Sequence, residues 1–281
     1  LAVRLNVERA QLAKLGVMPR TLDVEGSVTG DAAFVAAGFG RVHLNADGLR
    51  LSNEKKAFRF ERFDLDGLLN SDSTSLAIGS DAFTLEFRTN EAMDSIVPSA
   101  REKLASYFKA DSSFHPAPGK FMDLAVTLPK SDWLTGLLVP DLQAVTLKKF
   151  TGHYDSDADE LKLKVDVPEL LYDSIRVNRL ELDVNAKGKS LSSVLSVRSV
   201  VRDSLGIFGL TLTNTAKVGA LESTLRVQNG EIPPSYVLSA QLERAGGVST
   251  LHIVPDGLVL DSKPWTADPE NLLRFTDRGL K

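Results

Sequence analysis

The chain has 281 residues, 33 Lys and Arg against 37 Asp and Glu, a formal charge of −4, and no cysteine. That length suits one large domain or two modest ones, and 43% hydrophobic with 25% charged residues is globular rather than disordered material. The slight acidity argues against a nucleic-acid footprint, which needs clustered positive charge. The lack of cysteine removes a disulfide framework, a Cys-ligated zinc and a thiol nucleophile.

In chain order, period-2 alternation dominates and predicts strands with one buried face. The pattern is already running at Val3, Leu5 and Val7, so the chain reads as a piece of a longer protein. It recurs at Val42, Leu44 and Ala46, at Leu49 and Leu51, at Phe58 and Phe60, then at Phe63 and Leu65 with the phase slipped by one. A one-residue slip predicts a bulge near Glu61-Arg62. Further runs are Leu76 and Ile78; Phe83, Leu85 and Phe87; and Met122 to Leu128. Residues 98–109 predict an amphipathic helix, with Leu104, Tyr107 and Phe108 on one side. Residues 11–15 and 131–138 predict one or two helical turns each, and 111–120, with Pro116, Pro118 and Gly119, a linker. That stretch either separates sub-units 1–97 and 120–281 or crosses from one part of a sheet to the next. The second half alternates more cleanly, from Leu161 through Val167, Leu180 to Val184, Phe208 to Leu212, Leu221 to Val227, Tyr236 to Leu242, and Leu258 with Leu260. Asp-Gly, Asn-Gly and Gly-Gly pairs fall between the runs, which suits tight hairpins. The expected fold is all-β and antiparallel, with roughly 15–18 strands. So many strands must curl, split or close, so a wide barrel, tandem sandwiches and a long folded trough all fit.

Catalytic and metal chemistry finds little support. His43, His115, His153 and His252 show no mutual ligand spacing. Gly38-Phe39-Gly40 lacks the helix that a dinucleotide fingerprint requires. The run Asp155 to Glu160 begins like a calcium loop but has no glycine at its sixth position and runs into a strand, so a solvated hairpin reads better. Trp133 and Trp265 read first as loop aromatics clamping the end of a sheet, with stacking on a ligand as the lesser alternative. No catalytic, cofactor-binding or metal residues are assigned, and no cofactor is expected.

The run from Val248 to Phe275 resembles a phrase of the TamB (translocation and assembly module) proteins of the AsmA-like superfamily, closest to Bacteroidota versions. Its elements here are Leu258, Leu260, Trp265, Asn271, Leu272, Leu273 and Phe275. Phe58 to Gly67 with Ser75 to Phe87, and Leu161 to Asn185, fit the same family. The resemblance implies an elongated, curled antiparallel sheet (a β-taco or repeating β-groove) of which residues 1–281 form one segment. It implies a periplasmic location, a tether to the inner membrane by a helix outside this segment, and phospholipid transport toward the outer membrane. The implied partners are phospholipid acyl chains, neighbouring segments of the same chain, and an Omp85-type outer-membrane protein; nucleic acid is not among them. A scaffold or chaperone for outer-membrane protein assembly is the alternative within the family. A closed structural or adhesin-like sandwich is the alternative outside it.

A sixteen-carbon acyl chain in water costs on the order of 12 kcal/mol at ~0.8 kcal/mol per CH₂, so a carrier needs continuous apolar wall. Strands ~4.8 Å apart make roughly 70–85 Å of trough from the expected number. The groove-lining set is Leu161, Leu163, Val165, Val167, Leu180, Leu182, Val184, Leu210, Leu212, Leu225, Leu258 and Leu260. Lys162, Lys164, Asp166, Glu181 and Asp183 point the other way, toward solvent. Alternation alone favours a closed sandwich. The resemblance favours an open trough.

Overall fold

A computed structural model describes residues 2–11, 22–36, 39–91, 95, 98, 102–103, 106–107, 117–135, 137–139, 141–203, 205–217, 219–228, 234–245, 247–276 and 279–280. The fold is all-β, with antiparallel pairing between the strands, and nineteen strands among the described residues. Two compact units interleave along the chain. The first takes Leu1–Ser95, Phe121–Gly152 and Val167–Ile175, and the second Ile96–Lys120, His153–Asp166 and Arg176–Lys281. Sub-units 1–97 and 120–281 therefore do not coincide with these units, because the long strands β9 (Leu142–Asp155) and β10 (Glu160–Tyr172) contribute one end to each.

In the first unit, β1 (Ala2–Gln11), β2 (Asp23–Ala36) and β3 (Phe39–Ser52) pair in sequence. On its other edge β3 carries β4 (Ala57–Arg59) and β5 (Arg62–Leu69) end to end. Next come β6 (Thr74–Ser80), β7 (Thr84–Thr89) and β8 (Phe121–Leu128). The registers line up apolar side chains across strands, as Leu44–Leu65–Ile78–Leu85–Val126 and, one row away, Val42–Gly67–Leu76–Phe87–Leu124. The opposite face is polar, with His43 against Asp66 at 2.7 Å and Asn45 against Asp64 at 2.5 Å.

The predicted bulge lies elsewhere. Arg50↔Arg59 and Asp47↔Arg62 keep one register across Phe60-Glu61, so β5 gains no residue against β3. The extra residue is on β3, where the pairing with β2 shifts between Glu25 and Ser27, next to Gly48 at φ 66°. A glycine in that left-handed conformation is the usual first residue of a bulge, and it changes the phase of β3 between Ala46 and Leu49. On β11, Arg179 is likewise in the left-handed conformation, at φ 47°.

One end of the first unit is closed by aromatic rings. Phe60, 2% exposed, meets Phe58, Phe63, Phe83 and Trp133, with the Phe83 and Trp133 centroids 4.9 Å apart. Trp133 is supplied by the segment from Ser131, where Thr135 N–H bonds Ser131 C=O and Leu138 N–H bonds Leu134 C=O, as in single helical turns. Residues 12–15, expected as a turn, lie outside the described residues.

In the second unit, β11 (Ile175–Lys187), β12 (Ser190–Arg202), β13 (Leu205–Lys217), β14 (Ala220–Val227), β15 (Tyr236–Ala245) and β16 (Val248–Leu260) follow in order. The last edge of β16 takes β17 (Lys263–Trp265) and β18 (Leu273–Thr276) end to end, and β19 (Gly279–Leu280) pairs with β18. The described part of the predicted helix is helical at Pro98, Glu102, Lys103 and Ser106, with Tyr107 in the turn beyond. Tyr107 is 1% exposed and forms the unit's buried core with Ala186, Leu191 and Ala216. Small residues are required there: Ala186 and Ala216 leave the depth into which the phenol ring packs.

The expected linker is not a free tether at its described end. Gly119 N–H donates to Asp157 Oδ1 at 2.6 Å, Lys120 N–H to Ser156 Oγ at 2.7 Å, and Ser156 N–H to Lys120 C=O at 2.8 Å. Residues 111–116 lie outside the described residues.

Candidate functional site

The candidate site is the apolar face of the second unit, and hydrogen-bonded register builds it. Leu195–Leu212–Leu225–Leu238–Leu258 stand opposite one another on five successive strands, and Trp265 extends the row onto β17. One row along, on the same face, run Val197–Leu210–Val227–Tyr236–Leu260. On the other side, beyond a row of mixed polarity, run Leu191–Ala216–Leu221–Leu242–Leu251–Leu273. On β11, the turn at Gly188-Lys189 and the Ser192 Oγ bond to Asn185 C=O, 3.2 Å, bring Leu182 beside Leu195 and Leu180 beside Val197. On β10, Lys164 pairs with Asp183 at 3.1 Å on the outward face, which leaves Leu161, Leu163 and Val165 on the apolar one. Thus eleven of the twelve groove candidates share one unit and one face; Val167 belongs to the first unit.

The exposure of these residues decides what the face can do. Leu163, Val165, Leu180, Leu182, Leu210, Leu212, Leu225 and Leu258 are all half-buried, neither core nor fully solvated. Tyr236, Leu238, Leu260, Trp265 and Leu273 are 40–56% exposed. A sandwich core would bury such residues against a facing sheet. Among the described residues the Tyr107 end is filled by the chain itself, where Leu161, Val184 and Leu221 pack against the core cluster, and Val197 on β12 is also buried. An apolar surface this size needs an explanation in binding terms.

The helical segment that leads into Tyr107 is latched electrostatically. Lys103, 4% exposed, has its ammonium on Asp159 and 5.0 Å from the Tyr107 ring centroid. Burial pushes the Tyr107 phenol above its ordinary pKa, against the opposing pull of Lys103. Asp159 sits in the β9–β10 turn, and the carboxylates of that turn are already engaged. Asp155 Oδ1 accepts the N–H groups of Asp157 (2.8 Å) and Ala158 (3.0 Å), Asp157 accepts Gly119 N–H, and Glu160 pairs with Lys162 at 2.6 Å. The run reads as a hydrogen-bonded hairpin turn. Among the described residues no three His, Cys, Asp or Glu side chains gather as an ion site.

That turn yields a pH prediction. The Ala158 N–H bond, with that of Asp157, holds the Asp155 carboxyl below its usual 3.8. A depressed carboxyl contributes stability that is present above 3.8 and lost as pH falls through its lower folded value. The Ala158 amide resonance is expected to titrate with a midpoint below 3.8. A midpoint at or above 3.8 would show that the turn does not hold the carboxylate.

The residues of the terminal phrase separate by role. Asn271 Oδ1 accepts Ile253 N–H at 2.8 Å and Asn271 Nδ2 donates to Ile253 C=O at 2.9 Å. Its amide substitutes for a strand in the gap between β17 and β18. Trp265, 56% exposed, ends the leucine row, and Phe275 pairs with Ser249 on the same face. Asn271 is therefore a structural residue, while Trp265 and Phe275 border the face.

No family model matches this chain, and no curated protein or solved structure is significantly similar to it.

Proposed function

We propose that this chain is a segment of a bridge-type lipid conduit of the TamB and AsmA-like kind, its apolar face carrying phospholipid acyl chains across the periplasm. In this reading it is not an enzyme, a helix outside the segment tethers it to the inner membrane, and an Omp85-type protein at the outer membrane is its partner. The observation that carries the reading is the pair of continuous apolar rows from β11 to β16, whose leucines stay half-buried or exposed along their length. Lateral rows suit transport. Strands ~4.8 Å apart present similar side chains at each step, so a sliding chain finds a series of near-equivalent sites and no deep trap.

Photo-crosslinking tests it. A photoreactive residue at Leu182 or Leu225 is expected to give lipid adducts several-fold more often than one at Glu181 or Arg226, on the outward face. Equal yields would refute a lipid-facing role. Capture of unfolded β-barrel substrate with no lipid adduct would favour the assembly-scaffold reading instead.

A further inference from the structure

The two ends of the second unit's strands differ in chemistry. At the end where Tyr107 packs, the turns carry exposed Lys187, Lys189 and Lys217. At the other end two-residue turns close β12–β13 and β16–β17, at Arg202↔Leu205 and Leu260↔Lys263. Asp203, Asp261 and Ser262 make these turns tight, at φ 52°, 51° and 59°. Beside them large apolar side chains face water. Ile207 and Phe208 are both 46% exposed, and Tyr236, Leu260 and Trp265 are exposed to a similar degree. Tyr236, Leu260 and Lys263 share one register level, and Trp265 lies one same-face level deeper, opposite Leu258. The Phe208 ring lies over Gly206, where an added Cβ would fall 2.9 Å from Phe208 Cε2, so the absent side chain is what seats the ring beside its turn.

Composition, depth and charge decide what this rim fits. Trp and Tyr join a large apolar ring to one polar group, and both collect where membrane hydrocarbon gives way to headgroups. A lysine at that level keeps its stem in apolar surroundings and its ammonium among the phosphates. Same-face residues step roughly 7 Å along a strand, so the two exposed levels match the ~5–10 Å depth of elements that lie in the interface. The charged residues at the two turns are Arg202, Lys263, Asp203 and Asp261, two of each sign. A neutral tip gains nothing from the field of an anionic leaflet and suits a zwitterionic one. Five side chains about half exposed offer roughly 500 Å² of apolar contact, against the ~800 Å² per partner of a stable protein interface. A bilayer sets no such minimum.

We propose that the rim formed by Ile207, Phe208, Tyr236, Leu260 and Trp265 docks into the headgroup region of a zwitterionic phospholipid bilayer. The inference goes beyond the conduit reading and does not need it, since a docked rim requires no acyl chain in the groove. Docking brings the open leucine row against the headgroups, with the Tyr107 end turned away from the membrane.

The test floats the 281-residue chain with phosphatidylcholine vesicles through a density gradient and reads the bound fraction against lipid concentration. Co-flotation that persists at high salt is expected. Trp265→Ser and Phe208→Ser are each expected to weaken partitioning about 10-fold, the loss of roughly half of one large side chain's burial. Lys217→Ser, at the opposite end, is expected to leave it unchanged. Fluorescence gives a second reading on the unaltered chain, whose tryptophans are Trp133 and Trp265. Lipid brominated near the headgroup is expected to quench part of the emission, and Trp265→Phe to remove the quenched part. Failure to float would overturn the docking surface. So would flotation only with phosphatidylglycerol vesicles or only at low salt, or full partitioning by both serine variants. Self-association in place of flotation, abolished by Trp265→Ser, would also overturn it and assign the rim to a second copy. None of these outcomes bears on lipid adducts at Leu182 or Leu225, so the conduit reading stands or falls by its own test.

Discussion

Tyr107→Ala is expected to destabilise the second unit by about 3–5 kcal/mol, the usual cost of truncating a large buried aromatic side chain. Tyr107 is 1% exposed and fills the space above Ala186 and Ala216, which are 3% and 0% exposed. Alanines cannot close over the vacated volume, so a cavity remains. Tyr107→Phe keeps the packing and is expected to cost far less. Asp159→Asn tests the latch separately, because it leaves the ammonium of Lys103 buried without its counter-charge. Removing one partner of a buried pair costs about 3–5 kcal/mol, and less here because Asp159 is itself 39% exposed on its side chain. Denaturant melts of the three variants measure this. A Tyr107→Ala cost under about 1 kcal/mol would mean that the helical segment does not close this end of the face in solution.

Leu225→Asp is expected to separate stability from lipid retention. Leu225 is half-buried between Leu212 on β13 and Leu238 on β15, and Leu238 is 40% exposed. With the groove empty the carboxylate reaches water, so the fold loses only part of one leucine's burial, about 1–2 kcal/mol. With an acyl chain on the row the same carboxylate is desolvated, at a cost of several kcal/mol. At 1.4 kcal/mol per tenfold, lipid co-purification is expected to fall at least about 100-fold. Arg226→Asp, on the outward face, is expected to change neither reading. Global unfolding of Leu225→Asp would identify the row as ordinary core. Undiminished lipid would place the ligand elsewhere.

The face as a set was readable because alternation is local. Leu182, Leu212, Leu225 and Leu258 each follow from period 2 within one strand, and a strand needs no knowledge of its neighbours to point a residue up or down. The bulge was misplaced for the complementary reason. Phe58 to Leu65 shows a real change of phase, but whether a residue is inserted depends on the partner strand, and the inserted residue is on β3 at Gly48. The helix around Tyr107 was anticipated as an amphipathic segment. Its role in closing one end was not, since nothing in residues 98–109 names Ala186 or Ala216 as the floor.

Ser193, Asn214 and Ser223, which stand opposite one another on β12, β13 and β14 and share two hydrogen bonds, illustrate the same division. Ser193 between Leu191 and Leu195, Asn214 between Leu212 and Ala216, and Ser223 between Leu221 and Leu225 are each visible as one polar interruption of an apolar run. Side-chain period and turn chemistry are properties of neighbouring residues, so the amino-acid order alone determined an antiparallel all-β chain with a two-faced sheet. That the three interruptions meet, that Tyr107 fills one end and that the leucine rows stay uncovered were decided by hairpin length, register and packing between residues far apart in the chain.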